Sequence, residues 1–95
     1  MLKHVVCFKM DSEESAKQAV EVLKSMQGNV PVLRGMEVGL DVLKSARSYD
    51  LYLGVLLDDK AALDAYQKDP YHCDPVKVFM HAHMLSSVAV DFEIE

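Results

Sequence analysis

A chain of 95 residues, of which 51% are hydrophobic, is long enough for a single domain, residues 1–95, with one core. Its 15 acidic and 10 basic side chains give a net charge of -5 without any cluster of Lys and Arg, which argues against binding to nucleic acid. No apolar run approaches the roughly 20 residues that span a bilayer, and the start of the chain lacks a signal-peptide pattern. We therefore expect a cytoplasmic protein that does not bind membranes.

The chain begins with a predicted strand and a predicted helix. Residues 3–10 alternate, with His4, Val6, Phe8 and Met10 on one face, which is the period of a β-strand. Asp11 followed by Glu14 predicts a capped helix start, and apolar residues then recur at helical spacing until Gly28.

Two further strands are predicted in the middle of the chain. Residues 36–43 alternate between apolar and polar side chains, and Gly39 among them suggests a bulge. Residues 49–57 are apolar on nearly both faces, which is typical of a central strand.

The last part of the chain reads as two helical segments and a strand. Asp58 or Asp59 caps the first segment, which Pro70 ends or breaks near Asp69. A short helix is expected to begin at Asp74-Pro75 and to run to about His83. Residues 87–94 alternate as a fourth strand, whose apolar side chains we expect to point inward: Val88, Val90, Phe92 and Ile94.

This order of elements, βαββαβ, predicts an α+β protein with a ferredoxin-like fold, in which helices cover one face of a four-stranded antiparallel sheet. The chain has no element left to cover the other face, although the third strand is apolar on that side too. A second copy would supply the cover, so we expect a homodimer whose two sheets form an α/β barrel.

Several segments, spread in order over nearly the whole chain, resemble the stress-responsive A/B barrel (Dabb) family. They are residues 3–9, 37–39, 48–51, 62–72 and 88–92, among them Ala62-Leu-Asp-Ala-Tyr-Gln-Lys-Asp-Pro-Tyr-His72. The resemblance implies a ferredoxin-like protomer that dimerises through its sheet into a barrel, and in some members a larger homo-oligomer.

The resemblance also implies a candidate site made of His4, Tyr66 and His72, which match the positions that carry chemistry in a polyketide cyclase of the family. There the histidine acts as the base and the tyrosine stabilises an enolate. The turn before His72 departs from the family pattern, since it has Asp69 where a histidine is more usual. A carboxylate three residues away is expected to raise the pKa of His72.

The function predicted from these features is the binding of a small apolar or aromatic molecule in a pocket between sheet and helices, with Val6, Phe8 and Phe79 in its lining. Two alternatives stay open. One is a structural, stress-associated oligomer without catalysis, in which the same residues only stabilise the barrel. The other is a cofactor-independent enzyme that resembles a polyketide cyclase or a monooxygenase.

Metal and cofactor sites have little support in the sequence. His81 and His83 are two residues apart, so on a helix they point roughly 200° away from each other and do not make one metal site. Glycine-rich nucleotide loops, a nucleophile elbow and C-x-x-C are absent from the sequence. We expect no metal and no cofactor.

Overall fold

The computed structural model describes residues 1–94 and confirms the predicted ferredoxin-like fold. The chain forms β1 (Leu2–Met10), α1 (Glu13–Lys24), β2 (Gly35–Leu40), β3 (Leu51–Leu57), α2 (Lys60–Lys68), a π-helical turn (His72–Val76), α3 (Lys77–His83) and β4 (Met84–Glu93). The four strands make one antiparallel sheet in the order β2-β3-β1-β4. Among the described helices, none is both long and apolar enough to cross a membrane.

The core lies between the helices and one face of the sheet. Directly paired residues of antiparallel strands share a face, and the pairs His4–Val55 and Val6–Leu53 place the even-numbered residues of β1 with the odd-numbered residues of β3. The buried residues of this face pack against α1, whose Ala16, Ala19 and Leu23 are buried at helical spacing. The alternation seen in the sequence therefore identifies the covered face of β1 and β3 correctly.

The opposite face of the sheet, here called the open face, carries no element of the described chain. Val88, Val90 and Phe92 of β4 lie on it and are 49%, 62% and 44% exposed. The prediction that these side chains point inward is wrong for the single chain, because Ser87, Ala89 and Asp91 are the β4 residues paired with the helix-facing positions of β1. Alternation shows that two faces differ, but not which of them the chain's own helices cover.

The start of α1 differs from the predicted cap. Ser12, not Asp11, has the extended backbone of an N-cap, and its hydroxyl accepts the Ser15 N–H at 3.0 Å while Ser15 Oγ accepts the Ser12 N–H. Asp11 instead accepts a hydrogen bond from the Ser15 hydroxyl. Serine thus completes the capping box that Glu14 was expected to complete.

The irregularity in strand pairing is not at Gly39, where a bulge was predicted. Gly39 pairs regularly with Tyr52, and the register of β2 against β3 shows no shift. The register changes instead between Lys9 and Met10, where β1 meets the start of β4. The bulge predicted at Gly39 is therefore wrong.

The second helical region breaks at Asp69, whose backbone is extended, as predicted from Pro70, and then contains a wide turn. Asp59 caps α2 through its carboxylate, which accepts the Ala62 N–H at 2.9 Å. The next helical segment begins at His72, two residues before the predicted start, and Pro75 lies inside its π-helical turn. Proline has no N–H for the usual hydrogen bond to the carbonyl four residues back. The helix is therefore wider here, and the Lys77 N–H bonds to the His72 carbonyl, five residues back.

Candidate functional site

The three residues singled out by the resemblance come together under the helices. His4 is on β1, Tyr66 is in the last turns of α2, and His72 opens the π-helical turn. The Tyr66 ring stacks on the His72 imidazole at 4.1 Å between centroids and 18° between planes, and meets His4 edge-on at 5.9 Å. All three are buried, and Tyr66 is only 1% exposed. The arrangement is a tyrosine ring held between two imidazoles.

The orientation of His72 is fixed by the backbone around it. Its Nδ1 lies 3.0 Å from the Tyr66 carbonyl oxygen, and since a carbonyl only accepts, Nδ1 carries the hydrogen. The His72 backbone N–H donates to the Asp69 carboxylate, which also accepts the Tyr71 N–H. Asp69 therefore serves as the cap of the turn.

Burial lowers the pKa of His72, and this effect outweighs the opposing effects of its hydrogen bond to the Tyr66 carbonyl and of the Asp69 charge. The aspartate does act in the expected direction, but the pKa of His72 is lowered overall because the effect of burial is larger. His72 is consequently a neutral imidazole near neutrality, with Nε2 as the nitrogen that can accept a proton.

His4 has a partner that the sequence did not point out. Its Nδ1 hydrogen-bonds the carboxylate of Asp91, which sits directly across from it in the β1–β4 pairing. The Asp91 side chain is 41% exposed, whereas that of His4 is 11% exposed, so the pair runs from the core to the surface. The only available signal was that Asp91 is an acidic residue within the apolar alternation of the fourth strand.

Both imidazoles keep their second nitrogen available. Among residues 1–94, no buried side-chain nitrogen or oxygen lacks a hydrogen-bond partner. The polar contacts found for His4 and His72 involve Nδ1, so in each ring Nε2 is reached by solvent. An accessible nitrogen on a fixed ring is what a general base requires, and His72, whose pKa is lowered, has one.

The Tyr66 hydroxyl points into the core. It donates to the thioether sulfur of Met26 at 3.8 Å, and burial raises the pKa of Tyr66 well above its ordinary value. Sulfur is a weak acceptor, so this bond is easily exchanged for one to a stronger acceptor. The phenol stays protonated and is a donor, not a base.

A cavity of about 200 Å³ lies beside Tyr66 and His72, between the sheet and the helices. Val6 and Phe8 of β1 line it, together with Leu53 from β3. Leu23, Val76 and Met80 close it from the helix side. Phe79 is not in the lining; its ring packs against His83 at 4.7 Å between centroids.

The mouth of the cavity is polar. Gln67, Lys77, His81 and Ser87 lie there, and the residues found around the cavity include no Asp or Glu. Lys77 is half-buried, whereas the other three are exposed.

The remaining histidine is engaged elsewhere. His83 Nδ1 lies 3.1 Å from the Asp11 carboxylate, at the junction of β1 and α3. Within residues 1–94 there is no group of three or more His, Cys, Asp and Glu that could hold a metal ion. Cys7 and Cys73 are free thiols.

Comparison with known proteins places the chain in a family. The model of the stress responsive A/B barrel domain matches residues 2–94, nearly the whole sequence. The chain belongs to this family. No match to this A/B barrel protein is found among curated proteins.

Solved structures agree with the fold of this A/B barrel protein. A dimeric ferredoxin-like protein of unknown function from Thermobifida fusca is 23% identical, with 98% of this chain and 90% of that chain covered and a TM-score of 0.84. A Dabb family protein from Mesorhizobium loti is 16% identical, with 99% and 96% covered and a TM-score of 0.83. A hydroxynitrile lyase from Passiflora edulis is 16% identical, with 99% and 93% covered and a TM-score of 0.80.

Proposed function

We propose that this protein binds a small apolar or aromatic molecule in the cavity beside Tyr66 and His72. The observation that carries the proposal is the cavity itself, which joins an apolar interior to a polar mouth and contains a stacked tyrosine and histidine. Ligand sites commonly combine apolar walls with a few fixed polar groups. At about 200 Å³ the cavity suits a molecule with a single aromatic ring or a short alkyl chain.

The binding proposal can be tested by blocking the mouth of the cavity with a large side chain. Ser87 is exposed at the mouth, while its neighbour Ser86 is exposed and absent from the cavity lining, and tryptophan is well tolerated in strands. In a titration of isotope-labelled protein with a set of single-ring aromatic compounds, followed by amide chemical shifts, we expect Ser87→Trp to abolish binding and Ser86→Trp to retain it. If the unaltered protein binds none of the compounds, the structural-oligomer alternative replaces this proposal.

Catalysis is a second candidate function, favoured by the state of His72. Its Nδ1 is held by the Tyr66 carbonyl and its pKa is lowered by burial, which leaves Nε2 as a base at neutral pH. In this proposal His72 removes a proton from a bound carbonyl compound, Tyr66 donates to the enolate oxygen in place of Met26, and Asp91 orients His4. The chemistry is a cofactor-independent proton transfer or cyclisation, as in a polyketide cyclase, or a monooxygenase-like reaction. The Passiflora lyase supports the idea that this fold can carry a small-molecule reaction.

Exchange of a ligand's carbonyl-adjacent hydrogens with deuterium tests this step. We expect His72→Gln to slow the exchange on the order of 10²-fold while ligand affinity changes little, because a general base contributes about that much to rate. Equal exchange rates in both proteins would remove His72 from the chemistry without affecting the binding proposal.

We further propose that two copies associate through the open face to form the barrel. Val88, Val90 and Phe92 expose apolar surface there, and the Thermobifida relative is described as dimeric. Lys3 and Tyr52 both bond to the Glu37 carboxylate, at 3.2 and 2.7 Å, so the polar groups of this face have partners within the chain. A second copy can therefore cover this face without burying Lys3 or Glu37 as an unpaired charge.

Val90 and Val78 make a matched pair for testing association. Each is 62% exposed, but Val90 lies on the open face and Val78 on α3. In sedimentation equilibrium we expect twice the chain mass for the unaltered protein and for Val78→Glu, and one chain mass for Val90→Glu. A folded monomer in all three would refute the barrel, and a mass above two chains would indicate a larger homo-oligomer.

A further inference from the structure

The mouth of the cavity has a charge opposite to that of the protein as a whole. The chain carries 15 acidic residues and a net charge of -5, yet the residues found around the cavity include Lys77 and His81 and no carboxylate. Lys77 and His81 are four residues apart at the start and in the middle of α3, so both side chains lie on the same side of that helix. The distribution of charge at the mouth is therefore not a reflection of composition.

The Lys77 ammonium is also left without a counter-ion. Lys77 is half-buried, and no ion pair or side-chain hydrogen bond to it is found among residues 1–94, whereas Lys3, Arg34 and Lys44 each pair with a carboxylate. Its charge is close to the site, because it adds to the lowering of the His72 pKa that burial mainly causes. A partly desolvated cation favours a nearby anion more strongly than a fully exposed one does.

We propose that the ligand is a carboxylate, with its apolar part in the cavity and its anionic group at the mouth against the Lys77 ammonium, where His81 can donate a second hydrogen bond. This inference rests on the proposed function, since it names the class of molecule that the same cavity takes. It makes Lys77 the residue that selects a carboxylate over a neutral molecule of the same shape.

The preference for a carboxylate can be tested with acids and with amides of the same shape. The probes are benzoate, phenylacetate and 3-phenylpropionate, each with its amide, titrated into isotope-labelled protein at pH 7 and low salt while amide shifts are recorded. We expect at least one acid to bind about tenfold more tightly than its amide, the size of a charge-assisted hydrogen bond. The advantage should shrink as sodium chloride is raised to about 0.3 M, because salt screens a charge at the mouth.

Two variants that each remove one positive charge test whether the preference for the acid depends on Lys77. Lys77→Met should bring the affinities for the acid and the amide within about twofold of each other. Lys17→Met removes one exposed positive charge from α1 and should keep the tenfold preference. If Lys77→Met does not fold, Lys77→Gln and the salt series on the unaltered protein provide the same comparison.

The outcomes separate this inference from the binding proposal. Equal affinity for acid and amide, with shifts at the cavity, overturns carboxylate selection and leaves the cavity as a binding site. A preference that persists in Lys77→Met overturns the role of Lys77. No binding by any of the six probes overturns both proposals.

Discussion

The contact between the Tyr66 hydroxyl and Met26 allows a quantitative prediction for Tyr66→Phe. The substitution removes one hydrogen bond, 3.8 Å long and accepted by a thioether, and leaves the ring stacked on His72. A typical hydrogen bond contributes about 0.5–1.5 kcal/mol, and a bond to sulfur falls at or below the lower end. We expect a loss of about 0.5 kcal/mol or less, which in a domain of this size lowers the melting temperature by about 2–4 °C.

Tyr66→Ala supplies the contrast at the same position. It deletes a ring that is 1% exposed, so it loses the transfer energy of the ring and leaves a cavity. The expected cost is about 3–5 kcal/mol, with loss of the stacking on His72 included.

Thermal and urea unfolding of both variants, at one fixed protein concentration because dimerisation shifts the midpoint, measures the difference. A loss of about 2 kcal/mol or more in Tyr66→Phe would refute the reasoning, since it would mean that the hydroxyl makes a strong bond. It would also favour a structural role for Tyr66 over a role in ligand binding.

Three further predictions concern titration and packing. Because burial lowers the pKa of His72, the unfolded chain binds the proton more readily, so stability should fall as the pH drops below about 6.5, and His72→Gln should flatten this dependence in urea melts from pH 5 to 8. Because burial raises the pKa of Tyr66, stability should fall as the pH rises above about 10, where the unfolded phenol ionises, and Tyr66→Phe should reduce that slope. Leu53→Asp, at a position that is 2% exposed, should unfold the protein by circular dichroism, whereas Leu43→Asp, 76% exposed, should melt within about 1 °C of the unaltered protein; an unchanged melt for Leu53→Asp would contradict the register of β3.

The strands and their order were predictable because alternation is a local property. The pattern of β1 and β3 identified the core positions, the apolar spacing predicted α1, and Asp59 is one of the two residues predicted to cap α2. The facing of β4 was not predictable in the same way, since it depends on its register against β1. Val90 lies on the open face because it pairs with Val5.

The sequence indicated three candidate residues, but not their hydrogen-bond partners. His4, Tyr66 and His72 came from the resemblance, and the structure brings them together. Asp91 contacts His4 from 87 residues away, a pairing that follows only from the tertiary register. The direction of the His72 pKa shift was missed because the sequence shows that Asp69 is near, but not that burial dominates.

The π-helical turn determines which side chains of this region face the cavity. His72 and Met80 line the same cavity although they are eight residues apart, a spacing that at 100° per residue would leave them about 80° apart on a regular helix. The wider turn compensates for this angle of about 80°. In a regular α-helix, two side chains seven residues apart would already point within about 20° of each other. The turn thus accommodates one residue more than a regular helix has room for between His72 and Met80, and Pro75, which has no N–H, lies inside it. Without the wider turn, the same spacing of eight residues would rotate one of these two side chains away from the cavity.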